Sequence, residues 1–119
     1  MADTMDIVIY HNPRCGKSRQ TLDLLRQRGT EPTIVEYLKT PPDARTLGDI
    51  LSLLNMEPRD LMRTKEVVYR ELGLDDPGLG RHALIDAMIE HPILIERPIV
   101  LAHGKAALGR PPENVLNIL

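Results

Sequence analysis

The sequence predicts an α/β fold: a mixed sheet of about four strands interrupted by a helical insertion over about residues 41–92. Three observations predict it. The chain opens as strand, helix, strand; a long middle stretch has helical periodicity; and it closes as strand, strand, helix. At 119 residues this is one domain, long enough to bury about 65% of its unfolded surface around a single core.

Ile7-Val8-Ile9-Tyr10 is a short β-rich run without polar alternation, which predicts a strand buried on both faces. His11-Asn12-Pro13 breaks it, and a helix is expected from about Gly16 to Arg28, with Leu22 and Leu25 on one side and Gly29 as its stop. Thr33 to Leu38 is the second strand, and short links in a strand–helix–strand unit predict that the two strands are parallel. Thr40-Pro41-Pro42-Asp43 then starts a helix with proline early in it. Leu47, Ile50, Leu51 and Leu54 follow at helical spacing, a core-facing stripe. Pro58 opens a short helix with Leu61 and Met62, Val67 to Leu72 is a third, stopped by Gly73, and Leu84, Ile85, Met88 and Ile89 mark a fourth, closed before Pro92. Asp75-Asp76-Pro77-Gly78 is a turn, so its paired carboxylates read as turn formers. Pro98 to Leu101, a His103-Gly104-Lys105 turn and Ala106 to Leu108 form a hairpin, and Pro111-Pro112 opens a last helix with Val115, Leu116 and Leu119.

Composition removes several functions. There is no Trp or Phe and only three Tyr, so no aromatic platform exists for stacking single-stranded bases. A net charge of −2 argues against nucleic acid as a partner. The opening residues carry Asp3 and Asp6, no Lys or Arg before Arg14, and no apolar run beyond Ile7–Tyr10, so neither a signal peptide nor a membrane span is expected. The four histidines (His11, His82, His91, His103) lack metal-ligand spacing, and no metal site is expected. A cytoplasmic location is the expectation.

Cys15 is the only cysteine, which excludes an internal disulfide, a zinc ribbon or an iron–sulfur cluster. It falls just after the first strand and just before the first helix, where backbone N–H groups and the helix dipole stabilise a thiolate. Residues 11–28 hold five bases (Arg14, Lys17, Arg19, Arg26, Arg28) against one acid, Asp23, in a chain that is negative overall. His11, four residues before the thiol, adds to its ionisation if protonated. The competing reading of a lone cysteine is a small buried hydrophobe, which the polar turn His11–Ser18 disfavours.

Three look-alikes fail on spacing. A phosphate-binding P-loop needs Gly where His11 stands; a phosphatase loop needs Arg where Thr21 stands; a Cys-x-x-Cys pair needs a thiol where Ser18 stands. Ser18 can bond to the thiolate or cap the helix, but it cannot resolve a mixed disulfide. Arg97 and Arg110 each precede a proline, which makes their backbones extended. Arg110 also stands at a helix start, where the dipole disfavours a cation unless an anion binds there. A surface pair with Glu113 is the equal alternative.

Ile9-Tyr10-His11-Asn12-Pro13-Arg14-Cys15-Gly16-Lys17-Ser18 resembles the signature of glutaredoxin-coupled arsenate reductases, as do Gly29–Val35 and Tyr37-Leu38. His91–Val100 and Gly109–Glu113 are similar to that family's later blocks, in order and correctly spaced from about residue 6 to residue 119. The resemblance implies a thioredoxin-like, glutaredoxin-type fold and reduction of arsenate to arsenite. It implies Cys15 as nucleophile, His11 as the residue that helps ionise it, and Ser18 as a hydrogen-bond partner of the thiolate. It also implies Arg63, Arg97 and Arg110 around the oxyanion and Pro98 as a cis-proline facing the thiol. No bound cofactor is implied; glutathione is the co-substrate and glutaredoxin the protein partner. Lys17 departs from the small polar residue expected of the family, and Arg14 adds charge before the thiol. Two other classes share these residues: a glutathione-dependent thiol reductase acting on another substrate, and a non-catalytic regulator of the same fold that contacts RNA polymerase. The regulator class usually carries Cys-x-x-Cys, which Ser18 argues against.

Overall fold

A computed structural model describes residues 7–119 of the chain. Asp3 and Asp6, on which the reading of the N-terminus leans, lie outside the described residues. The chain divides into two compact units, one running up to Thr40 and resuming over Arg97–Leu119, the other Pro41–Glu96.

The first unit is built on β1 (Val8–His11), α1 (Gly16–Gln27), β2 (Thr33–Glu36), β3 (Ile99–Ala102) and β4 (Lys105–Leu108). Among the described residues the strands form one sheet in the order β2-β1-β3-β4. β1 and β2 are parallel with Val8 opposite Thr33 and His11 opposite Glu36. β3 runs antiparallel to β1, with Ile9 opposite Val100, and β4 antiparallel to β3. The α1 crossover between β1 and β2 goes with their parallel pairing, and the tight turn between β3 and β4 with their antiparallel one. That turn has positive φ at both His103 (56°) and Gly104 (73°), the left-handed pair that matches the twist of a two-residue hairpin.

α1 ends in a closed left-handed cap. Gly29 takes φ 80°, its N–H reaches the Arg26 carbonyl at 3.0 Å, and the Thr30 N–H reaches that of Leu25 at 3.0 Å. The core of this unit joins Ile7 and Ile9 of the first strand region to Leu22 and Leu25 of α1, Val100 and Ala102 of β3, Ala107 of β4, and Val115.

Several expected boundaries shift for physical reasons. β1 is fully covered on one face only: Ile9 and His11 are buried, Val8 and Tyr10 half-buried. β2 stops at Glu36, because its carbonyl accepts the N–H groups of Lys39 and Thr40 (2.9 and 3.0 Å) and turns the chain, while Tyr37 is fully buried. β3 begins after Pro98, which has no N–H to give to the ladder. The last helix is a 3₁₀ segment, Pro112–Ile118, rather than an α-helix, following two prolines that cannot donate.

The second unit is helical: α2 (Ala44–Leu54), a 3₁₀ turn Pro58–Leu61, α3 (Val67–Glu71), α4 (Arg81–Glu90) and a 3₁₀ turn Pro92–Leu94. Pro41 and Pro42 precede α2 instead of entering it. Asp43 is the N-cap, its carboxylate accepting the Thr46 N–H at 2.8 Å. Leu47, Ile50 and Leu51 are buried, as are Leu84, Ile85 and Met88 of α4; Leu54, at the end of the predicted stripe, is half-buried.

Candidate active site

The turn between β1 and α1 holds the thiol in place. The Cys15 N–H returns to the Asn12 carbonyl at 3.0 Å, and the Arg14 N–H bonds to Asn12 Oδ1 at 3.0 Å, so a buried asparagine shapes the loop through both its backbone and its side chain. Cys15 is the N-cap residue of α1, extended at φ −95° and ψ 124°, and the first helical bond runs from the Arg19 N–H to its carbonyl. The unpaired N–H groups of the first turn are thereby aimed at the side-chain sulfur.

Cys15 is 9% exposed, so it is covered, but not by apolar groups alone. Burial opposes ionisation of its thiol. The Ser18 backbone N–H, a hydrogen bond and the positive charge from Arg97, and the Lys17 backbone N–H outweigh that opposition and hold the thiol below its usual range. Arg110 Nη2 lies 3.5 Å from Cys15 Sγ, and Arg110 Nε donates to the Arg97 carbonyl at 2.7 Å. Two guanidinium groups thus converge on one sulfur. Of the two readings open for Arg110, this inward placement supports the site. The reading of Cys15 as an inert small hydrophobe does not fit a sulfur with these neighbours.

His11 and Ser18 sit beneath the turn. His11 Nδ1 is 2.7 Å from Ser18 Oγ, and the same hydroxyl accepts the Asn12 N–H at 3.0 Å. The contact of Ser18 with the sulfur therefore comes from its main chain, and its hydroxyl is engaged with His11 and Asn12. Burial lowers the His11 pKa, against a smaller upward pull from Glu36 and with further lowering by Arg26 and Arg19. His11 is accordingly a neutral ring near pH 7, held to Ser18 by its Nδ1, so it brings no positive charge to the thiol.

The Arg97–Pro98 peptide bond is cis, and so is Arg110–Pro111. The second has no signal in the sequence beyond the Arg-Pro pair itself. Gly109 is a residue that sequence reasoning missed. A Cβ placed there would stand 2.6 Å from Thr21 Oγ1 and 2.7 Å from Pro98 Cγ. The Gly109 N–H also bonds to the Pro98 carbonyl at 2.9 Å. Only a residue without a side chain lets this strand end press against both α1 and Pro98, one position before Arg110.

Arg63 belongs to the helical unit. Its Nε contacts Glu66 Oε2 at 3.0 Å and its Nη1 contacts Glu96 Oε1 at 2.6 Å. Burial works against its charge, and these two carboxylates more than restore it. Among the described residues no group of three His, Cys, Asp or Glu is arranged to hold a metal ion, and no helix is long and apolar enough to cross a membrane.

The sequence profile of the ArsC family matches residues 10–118, a span that includes Cys15, Arg97 and Arg110. The chain belongs to the ArsC family. It is 57% identical over 117 residues to YfgD of Escherichia coli (strain K12), a protein described only as uncharacterized, with 98% of each chain covered. It is 53% identical over 115 residues to an arsenate reductase of Neisseria meningitidis serogroup B (strain ATCC BAA-335 / MC58), covering 96% of this chain and 98% of that one. Among solved structures, an arsenate reductase from Vibrio cholerae superposes with a TM-score of 0.94 at 52% identity, over 97% of this chain and 98% of the other. The mixed four-stranded sheet with its helices is thus the thioredoxin-like fold of the ArsC proteins.

Proposed function

We propose that this ArsC-family chain reduces arsenate to arsenite through a covalent adduct on Cys15, with glutathione and glutaredoxin as the thiol donors. The observation that carries the reading is two guanidinium groups acting on one thiol: Arg110 Nη2 lies 3.5 Å from Cys15 Sγ, and Arg97 lowers the thiol's pKa by hydrogen bonding and charge. Arsenate is a tetrahedral oxyanion. Its reduction requires a soft nucleophile for arsenic and cations for the oxygens, and planar guanidinium forks supply two donors per oxygen pair. The names of the relatives support the same substrate.

The Cys15 thiolate attacks As(V), an arsenic–sulfur bond forms, and one oxygen leaves as water. Arg97 and Arg110 neutralise the oxygens of the adduct. Glutathione then attacks the Cys15 sulfur. The arsenic–sulfur bond breaks toward arsenic, which leaves as arsenite with two more electrons, and Cys15 is left in a mixed disulfide with glutathione. Glutaredoxin takes the glutathione and returns the thiolate. The two electrons come from two thiols, of which the chain owns one, so a second must be borrowed at each turnover. That requirement is met in the reducing cytoplasm. The resemblance adds Arg63 as a third cation, a role that an Arg63→Ala variant tests by its KM for arsenate.

The deciding experiment is arsenite production with glutathione and glutaredoxin each omitted in turn. Without glutathione no arsenite appears. With glutathione alone, one arsenite is released per chain and each chain carries one glutathione by mass. Cys15→Ser abolishes turnover while the fold persists. Turnover by that variant refutes the nucleophile, and thiol-disulfide activity without arsenate reduction moves the chain to another substrate. Arg97→Lys, which keeps the charge and loses the fork, raises KM for arsenate more than it lowers stability; equal activity argues against bidentate binding.

A further inference from the structure

A chain with one thiol has to seat its reductant within reach of Cys15, and a cleft of about 300 Å³ borders the thiol turn. His11, Asn12, Pro13 and Arg14 line one side of it, and Glu36 and Lys39 line the other. The parallel register places His11 beside Glu36, so the cleft opens beyond the carboxyl ends of β1 and β2, where α/β sheets leave room for ligands. The bond from the Cys15 N–H to the Asn12 carbonyl makes the cleft wall and the nucleophile parts of one turn.

The cleft has a charge pattern: two cations, Arg14 and Lys39, and one carboxylate, Glu36. Lys39 Nζ is 3.4 Å from Glu36 Oε1, but the two side chains are 79% and 44% exposed, and an open pair of this kind exchanges partners at little cost. The complementary small molecule has two carboxylates, one ammonium and a thiol. We propose that this cleft seats glutathione, with Arg14 and Lys39 holding its two carboxylates and Glu36 its α-ammonium, so that its sulfur lies against Cys15. The inference rests on the proposed arsenate chemistry for what the thiol accomplishes, but its binding can be measured without arsenate.

The probe is the reaction of the reduced chain with glutathione disulfide. The Cys15 thiolate attacks one sulfur, a mixed disulfide forms and one glutathione thiolate leaves. Hydroxyethyl disulfide, uncharged, is the reference, so that any change in thiol ionisation cancels in the ratio of the two rates. Arg14→Glu combined with Lys39→Glu, both exposed sites, should lower the ratio about tenfold. Glu36→Gln separates a built site from general attraction. Removing an acid speeds an anionic disulfide by simple electrostatics, whereas loss of the ammonium partner slows it, and the proposal expects the ratio to fall severalfold. An unchanged ratio in the double variant, or a rise in Glu36→Gln, overturns the cleft. Arsenate turnover of the unaltered chain is scored separately: its absence refutes the substrate, while the ratios alone decide the cleft.

Discussion

A thiol under cover ionises only when what faces the sulfur outweighs its burial, and at Cys15 two backbone N–H groups and Arg97 do so, with Arg110 at 3.5 Å. Its folded pKa is depressed, so the thiolate adds stability that is complete above the ordinary thiol range and is lost as pH falls through the lowered value. The unfolding free energy of the native chain minus that of Cys15→Ser should therefore widen as pH rises across that window; a difference flat in pH refutes an ionised thiol. His11 is also depressed, chiefly by burial, so the stability it contributes is present above about pH 6.5 and lost as pH falls through its folded value. His11→Gln should flatten the acid limb of the stability profile. Ser18 joins the two residues. Ser18→Ala strips the acceptor from the buried Asn12 N–H and the partner from His11 Nδ1, an expected loss of about 1–3 kcal/mol in denaturant unfolding. The cysteine and its basic surroundings were legible as sequence, since they are local. The use of the Ser18 main chain for the sulfur and its hydroxyl for His11 was not, because it depends on how the turn closes.

At the scale of elements, two glycines separate conformation from space. Gly29 closes α1 at φ 80°, and nothing lies within 4 Å of the point a Cβ would occupy there. Gly29→Ala therefore meets only the left-handed backbone cost, about 1 kcal/mol, and leaves the Cys15 alkylation rate unchanged. Gly109 has no positive φ to satisfy, but a Cβ there collides with Thr21 and Pro98. Gly109→Ala should cost about 1–3 kcal/mol and also slow alkylation, because the strand end that carries Arg110 must move off α1. Equal alkylation rates in the two variants would falsify the positioning role of Gly109. The first glycine was readable because helix stops are written locally. The second was not: its neighbours are 88 and 11 residues away in the chain, and no local pattern announces a close approach. The same division runs through the fold. Aliphatic runs and Gly/Pro punctuation located most strands and helices to within a residue or two, whereas the start of α2, the end of β2 and the 3₁₀ form of the last segment depended on which backbone groups were left to bond.

For the molecule as a whole, the decisive quantity is thiol count against electron count. Arsenate reduction takes two electrons, one thiol cannot end as a disulfide by itself, and Ser18 stands at the third position of α1, where a second thiol would close the Cys-x-x-Cys pair. Ser18→Cys therefore tests the entire scheme. On the proposed route Cys15 displaces water from arsenate and the introduced thiol takes the place of glutathione: it attacks the Cys15 sulfur, arsenite leaves with the electron pair, and an internal disulfide remains. The variant gives up the Ser18 hydroxyl bonds to His11 and Asn12, so it should be less stable. It should nonetheless release one arsenite per chain with no glutathione present and then stop until dithiothreitol opens the disulfide, while the native chain under the same conditions releases none. If the variant stays folded, holds an oxidisable thiol pair and still makes no arsenite, the adduct on Cys15 is not the route by which arsenic gains its electrons.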